Sequence, residues 1–166
     1  LRGWIRSSEV YALLIESASP KVFSAGGDIR ELAGLMASDP ASAHRSLAAE
    51  YRLNWALECF AKPTVSLIDG LVVGSGVGLT QYGTHRVAGE GYRFAMPETA
   101  IGLFPDVGAA SVLARLPDAV GIYLGLTGRQ VGRADAYALG LATHCIARAE
   151  FAAIAAGLAD AEPVDQ

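Results

Sequence analysis

The chain has 166 residues, 52% of them hydrophobic, and 13 Lys and Arg against 17 Asp and Glu give it a formal charge of −4. That length predicts one domain, burying roughly two thirds of its unfolded surface without disulfides. An acidic balance with no run of Lys or Arg argues against nucleic acid or an anionic membrane as the main partner, and the longest apolar stretch, Thr64–Thr80, is broken by Asp69 and by glycines, so no bilayer span is expected.

The chain opens on Leu1 and leads into a strand-like run at Val10–Ile15, without a visible signal peptide. A partial or trimmed chain is the expectation, with "AEPVDQ" as a frayed tail or the start of a linker. "ASPK" turns, and "VFSAGGD" ends in a glycine pair. Asp28 fits a helix N-cap, with Glu31 completing a capping box. From Ala41 to Phe60 the pattern predicts one long amphipathic helix, its inner side marked by Leu47, Tyr51, Asn54, Trp55 and Leu57, and stopped by Lys62 and Pro63. "TVSLI" predicts the next strand, and "LVVGSGVGLTQYG" reads as strand, Gly-rich turn and helix. "HRVAG" is a strand, and "YRFAMPE" is extended because Pro97 biases Met96 away from the helical region. Asp106 can cap a helix running to about Leu116. Helical pieces at Ala119–Leu126, Arg133–Leu139 and Ala149–Leu158 follow, with a small strand at "THCIA". Strands alternating with helices predict an α/β domain. Cys59 and Cys145 lie in apolar runs with no CxxC partner, which predicts free, buried thiols of a reducing compartment.

Two glycine turns, "SAGGD" and "GSGVG", each lie between a strand and a helix, where backbone N–H groups can point at an oxygen. Glycines of this kind also serve tight turns and close packing. "GSGVG" lacks the GxGxxG spacing, and Val73 breaks a GxSxG elbow around Ser75, so neither a dinucleotide fold nor a serine hydrolase is indicated. Taken together, one donor from each turn could converge on one oxygen as an oxyanion hole. Glu98 sits in an apolar stretch, neither on a polar face nor four residues before a cation, where a carboxyl raised by burial suits general acid or base work; a partly exposed loop carboxylate is the other reading. Asp106 has the capping role as its alternative, and Glu50 that of a solvated helix position. His44, His85 and His144 show no metal-ligand spacing, so no metal is expected.

"FSAGGDIREL" (Phe23–Leu32), "KPTVSLIDGLVVGSGVGLT" (Lys62–Thr80) and "FAMPETAIGLFPDVGAA" (Phe94–Ala110), closed by "LGLTGRQVGRADAYALGLATHCI", resemble the crotonase (enoyl-CoA hydratase/isomerase) superfamily. Within it, "AEYRLN", "MPETAIGLFPDVG" and "GLATH" look most like the 3-hydroxyisobutyryl-CoA hydrolase branch. The resemblance implies an α/β crotonase-like (ClpP/crotonase) fold, a ββα spiral with flanking helices. Residues 1–166 would form a single such domain, a fragment lacking the family's N-terminal strand and C-terminal helical part. It further implies an oxyanion hole from the Gly27 and Ser75 N–H groups, the serine standing where the family usually has glycine. Ala25, Asp28, Gly74, Gly76 and Glu50 would bind substrate.

Hydratases of the superfamily use two glutamates, one at the position of Gly78 and one at that of Glu98; the hydrolase branch instead uses a Glu and an Asp matching Glu98 and Asp106. The implied activity is hydrolysis of a short hydroxyacyl-CoA thioester, 3-hydroxyisobutyryl-CoA in valine breakdown, with Glu98 as general base or as nucleophile through a mixed anhydride. Asp106 would orient the water or the substrate hydroxyl. The alternatives are an enoyl-CoA hydratase or isomerase, disfavoured by Gly78, and a truncated, noncatalytic CoA-binding or assembly module. No cofactor is implied beyond the coenzyme A of the substrate. Lys21 or Arg30 would meet CoA phosphates or simply be solvated. A trimer or hexamer is the family's habit, and the expected location is cytoplasmic in a bacterium or mitochondrial in a eukaryote.

Overall fold

The computed structural model describes residues 1–19 and 21–161. A short helix α1 (Arg2–Arg6) precedes β1 (Leu13–Glu16), where the sequence suggested that the chain leads directly into a strand; Lys62 Nζ ties this opening segment down by donating to the Trp4 and Ser7 carbonyls. Then come β2 (Val22–Ser24), α2 (Ile29–Ser38), α3 (Pro40–Glu58), β3 (Thr64–Ile68), β4 (Leu71–Val73), α4 (Ser75–Thr80), β5 (His85–Ala88) and β6 (Arg93–Ala95). A 3-10 turn at Glu98–Ile101, α5 (Ala109–Leu113), α6 (Val120–Thr127), β7 (Val131–Gly132), α7 (Arg133–Ala138), β8 (His144–Cys145) and α8 (Phe151–Ala159) complete the order.

From β1 to β6 successive strands alternate between two four-stranded sheets, which β7 and β8 complete in the reverse order. One runs β1-β3-β5-β8, all parallel; the other runs β2-β4-β6-β7, parallel except for the antiparallel β7 edge. This is the expected ββα spiral, in which each turn adds one strand to each sheet. β3 is buried at every position, as a parallel strand covered on both faces must be. Its alternating residues serve two cores: Val65 and Leu67 pack with Val87 and with Phe151 of α8, while Ile68 joins Val72, Val77, Tyr92, Phe94 and Met96 in the larger cluster.

Asp28 caps α2 as read from the sequence, its Oδ1 accepting from the Arg30 and Glu31 N–H groups at 2.9 and 3.0 Å. Four expectations are corrected. The long helix presents Ala43, Asn54 and Leu57 to the interior, whereas Trp55 is 70% exposed and Tyr51 42%; a narrow inner stripe cannot hold both 54 and 55, because consecutive helix residues point about 100° apart. That helix ends at Glu58, before Lys62 and Pro63 can act. Asp106 caps no helix, because α5 begins at Ala109 behind Gly108. Cys59 and Cys145 are free but exposed: one follows the end of α3 and the other lies on the edge strand β8. Of the tail, residues 162–166 lie outside the described residues.

Candidate active site

Strands β2, β4 and β6 are neighbours in one parallel sheet, with Ser24 beside Val72 and Val73 beside Ala95. Their C-terminal ends therefore release three segments along one edge: Ala25–Asp28, Gly74–Ser75 and Met96–Glu98. This topology brings together pieces far apart in the chain.

The first two segments touch. A Cβ on Gly26, whose φ is +88°, would stand 3.5 Å from Val73 O and 3.7 Å from Ser75 N, and one on Gly27 would stand 3.4 Å from Ser75 Oγ. Gly74 holds φ +52° and ψ −125°, a conformation that L-residues avoid. That conformation turns the chain from β4 into α4. Among the described residues, neither the Gly27 nor the Ser75 N–H donates to a loop or side-chain acceptor; Ser75 opens α4, where an N–H has no partner within its own helix. Gly76 is buried against Ser24 and lets the two turns approach, while Ala25 is exposed and the Asp28 carboxylate is engaged in its cap. Lys21 and Arg30 are exposed.

Glu98 enters from the third segment. Its Oε1 lies 3.2 Å from where a Gly74 Cβ would be, so its carboxyl abuts the glycine junction. The residue is half-buried, and its Oε2 is buried with no hydrogen-bond partner among the described residues. Burial pushes its carboxyl above the usual range; a hydrogen bond from its own backbone opposes this, and the charge of Asp106 adds a smaller upward push. Asp106, also half-buried, thus lies within electrostatic reach of Glu98, and its Oδ2 accepts a hydrogen bond of 2.9 Å from the Tyr51 hydroxyl. Burial, followed by that bond and the Asp106 and Glu50 charges, raises the Tyr51 phenol to about 12. Glu50, half-buried beside it on α3, is part of the same acidic surroundings.

Sequence reasoning missed what fills the space at Gly78. A Cβ there would stand 2.8 Å from Val107 Cβ and 2.9 Å from Asn54 Oδ1. Asn54 is 6% exposed and its Nδ2 has no hydrogen-bond partner among the described residues. The place where a second glutamate would project is occupied by an amide and a valine. The available signal was the spacing of Glu50, Tyr51 and Asn54, three and four positions apart on one helix side. Among the described residues no group of three His, Cys, Asp or Glu is placed to hold a metal, and no helix is long and apolar enough to cross a membrane.

The spiral fold and this junction of strand ends agree with comparison to known proteins: the enoyl-CoA hydratase/isomerase family profile matches residues 1–166, and the chain belongs to that family. A mitochondrial 3-hydroxyisobutyryl-CoA hydrolase of Xenopus tropicalis is 46% identical over 143 residues, 86% of this chain and 37% of the relative. The small ribosomal subunit protein mS47 of Neurospora crassa is 39% identical, covering 99% of this chain and 33% of that one. A crystal structure of an enoyl-CoA hydratase from Rhodobacter sphaeroides superposes with a TM-score of 0.92 at 42% identity, covering 99% of this chain and 50% of that structure. The chain thus spans between a third and two fifths of the length of these curated relatives.

Proposed function

We propose that this chain carries the thioester-cleaving centre of a hydrolase acting on a short hydroxyacyl-CoA, with 3-hydroxyisobutyryl-CoA as the substrate. The observation that carries the reading is the meeting of the Gly26–Gly27 and Gly74–Ser75 turns against the half-buried Glu98 carboxyl, with the space at Gly78 closed by Asn54 and Val107. The Gly27 and Ser75 N–H groups would receive the thioester oxygen, each contributing about 3 kcal/mol to the developing charge. Glu98, raised by burial, accepts a proton from water as that water attacks the carbonyl carbon, and returns the proton to the departing sulfur so that coenzyme A leaves as thiol; in the other route its carboxylate attacks the carbon and expels the sulfur, and water then opens the mixed anhydride, its proton going to the thiolate and Glu98 regaining its carboxylate. Asp106 orients the water or the substrate hydroxyl, Glu50 is a second hydroxyl partner, and Ala25, Asp28, Gly74 and Gly76 frame the acyl group through the two turns. With no room for a second glutamate at Gly78, hydration of an enoyl-CoA is the weaker reading.

A ribosomal relative of similar identity favours one further reading, a crotonase-like unit used for assembly. Thiol release measured across a panel of acyl-CoA esters separates the readings. Free coenzyme A from the 3-hydroxyisobutyryl ester, reduced about 10²- to 10⁴-fold in Glu98→Gln, supports the hydrolase. Loss of the enoyl absorbance without thiol supports a hydratase, and coenzyme A binding with neither signal supports the assembly reading.

A further inference from the structure

We propose that Tyr51 and Tyr82 form a clamp that fixes the turn carrying Asp106, making both of them positioning residues for thioester cleavage. The catalytic half of this proposal rests on the role given to Asp106 above; the geometric half does not.

Asp106 is followed by Val107 at φ +45° and Gly108 at φ +77°. Two consecutive left-handed residues make a tight turn, and a β-branched residue in that region is an outlier that persists only when its surroundings hold it. Two phenols do so. Tyr82, in the segment after α4, donates to the Val107 carbonyl at 2.5 Å, and its hydroxyl sits so close to Gly108 that a Cβ there would overlap it. Tyr51, on α3, donates to Asp106 Oδ2 at 2.9 Å, leaving the other carboxylate oxygen to accept from a water or a substrate hydroxyl. Both tyrosines line one groove with Asn54, Glu58 and Val107. Val107 is also buried against Gly78, which opposes an inward relaxation of the turn. Tyr51 is 42% exposed and spends its hydroxyl on an acid rather than on the backbone, which sets it apart from a tyrosine retained for packing. Tyr92 is the contrast: fully buried, its hydroxyl has no partner among the described residues.

Tyr51→Phe and Tyr82→Phe are expected to lower kcat roughly 10- to 100-fold with little change in KM, the effect of a displaced reacting group. Tyr92→Phe should leave kcat unchanged. Independently of turnover, the Tyr51 phenol, followed by NMR of ring-labelled protein and assigned by its loss in Tyr51→Phe, should titrate near 12 and move toward its ordinary 10 in Asp106→Asn. A Tyr51 titration indifferent to Asp106→Asn overturns the clamp. So does a protein that hydrolyses thioester and loses kcat in Asp106→Asn but keeps it in both tyrosine variants. If the unaltered protein releases no thiol from any ester, the hydrolase reading and the catalytic half of the clamp fail, while the titration still decides the geometry.

Discussion

Replacing Gly78 by alanine tests whether the interior around Asp106 is as full as the structure makes it. The added methyl would stand 2.8 Å from Val107 Cβ and 2.9 Å from Asn54 Oδ1, where carbon contacts ordinarily settle at about 3.5–4.0 Å. Both neighbours must give way, Val107 by nearly 1 Å on that scale. Neither moves freely, since Val107 is 3% exposed with its carbonyl held by Tyr82, and Asn54 is 6% exposed on a long helix. Alanine gains about 1 kcal/mol over glycine in a helix interior, but overpacking costs about 1–3 kcal/mol. With both neighbours fixed, the upper end applies, and the expected net loss is about 2 kcal/mol. For a chain of this size that lowers Tm by roughly 4–8 °C. Urea unfolding with an unchanged m-value measures the loss directly. A Gly78→Ala protein that is more stable by the helix-propensity gain, with turnover intact, refutes the packing argument. Gly78→Glu should be more damaging still and acquire no enoyl-CoA hydration.

Three further outcomes follow from particular contacts. Burial raises the Glu98 carboxyl, so the native state keeps that proton to higher pH than the unfolded chain, and stability contributed here falls as pH rises from 4.5 through the raised native value. Glu98→Gln lacks this loss, so its Tm relative to the unaltered protein should climb through that window and then level off; a difference that is flat with pH contradicts the buried-carboxyl assignment. Asp28→Ala removes the acceptor for two N–H groups at the start of α2 and should cost about 1 kcal/mol in urea unfolding, an unchanged midpoint being the adverse result. Both thiols should react promptly with a disulfide reagent in native protein, because Cys59 and Cys145 are exposed; reaction only after denaturant would reverse that placement.

Local signals in the sequence carried much of the fold. The runs "TVSLI", "LVV" and "HRVA" became strands because their β-branched and apolar residues suit a pleated, buried surface, and Asp28 started a helix because its side chain answers adjacent N–H groups without help from elsewhere. The motif order also pointed to the family, since glycine turns at fixed places between strands and helices are properties of the chain itself. Helix faces were less legible: Trp55 looked like an inward residue, yet a helix buries only one stripe and Asn54 took it. A large aromatic and a small amide cannot be ranked for burial without knowing that Gly78 leaves a notch of amide size.

Asp106 shows the same limit, for beside a proline it had every local mark of a cap. Only the arrival of Tyr51 from 55 residues away gave its carboxylate another partner, and only the parallel pairing of β2, β4 and β6 placed Gly27, Ser75 and Glu98 along one edge. The residues and their local conformations were set by short-range sterics and hydrogen bonding, which sequence encodes directly. Their convergence depends on strand register and on side chains meeting across the spiral, contacts between distant segments that no local pattern specifies.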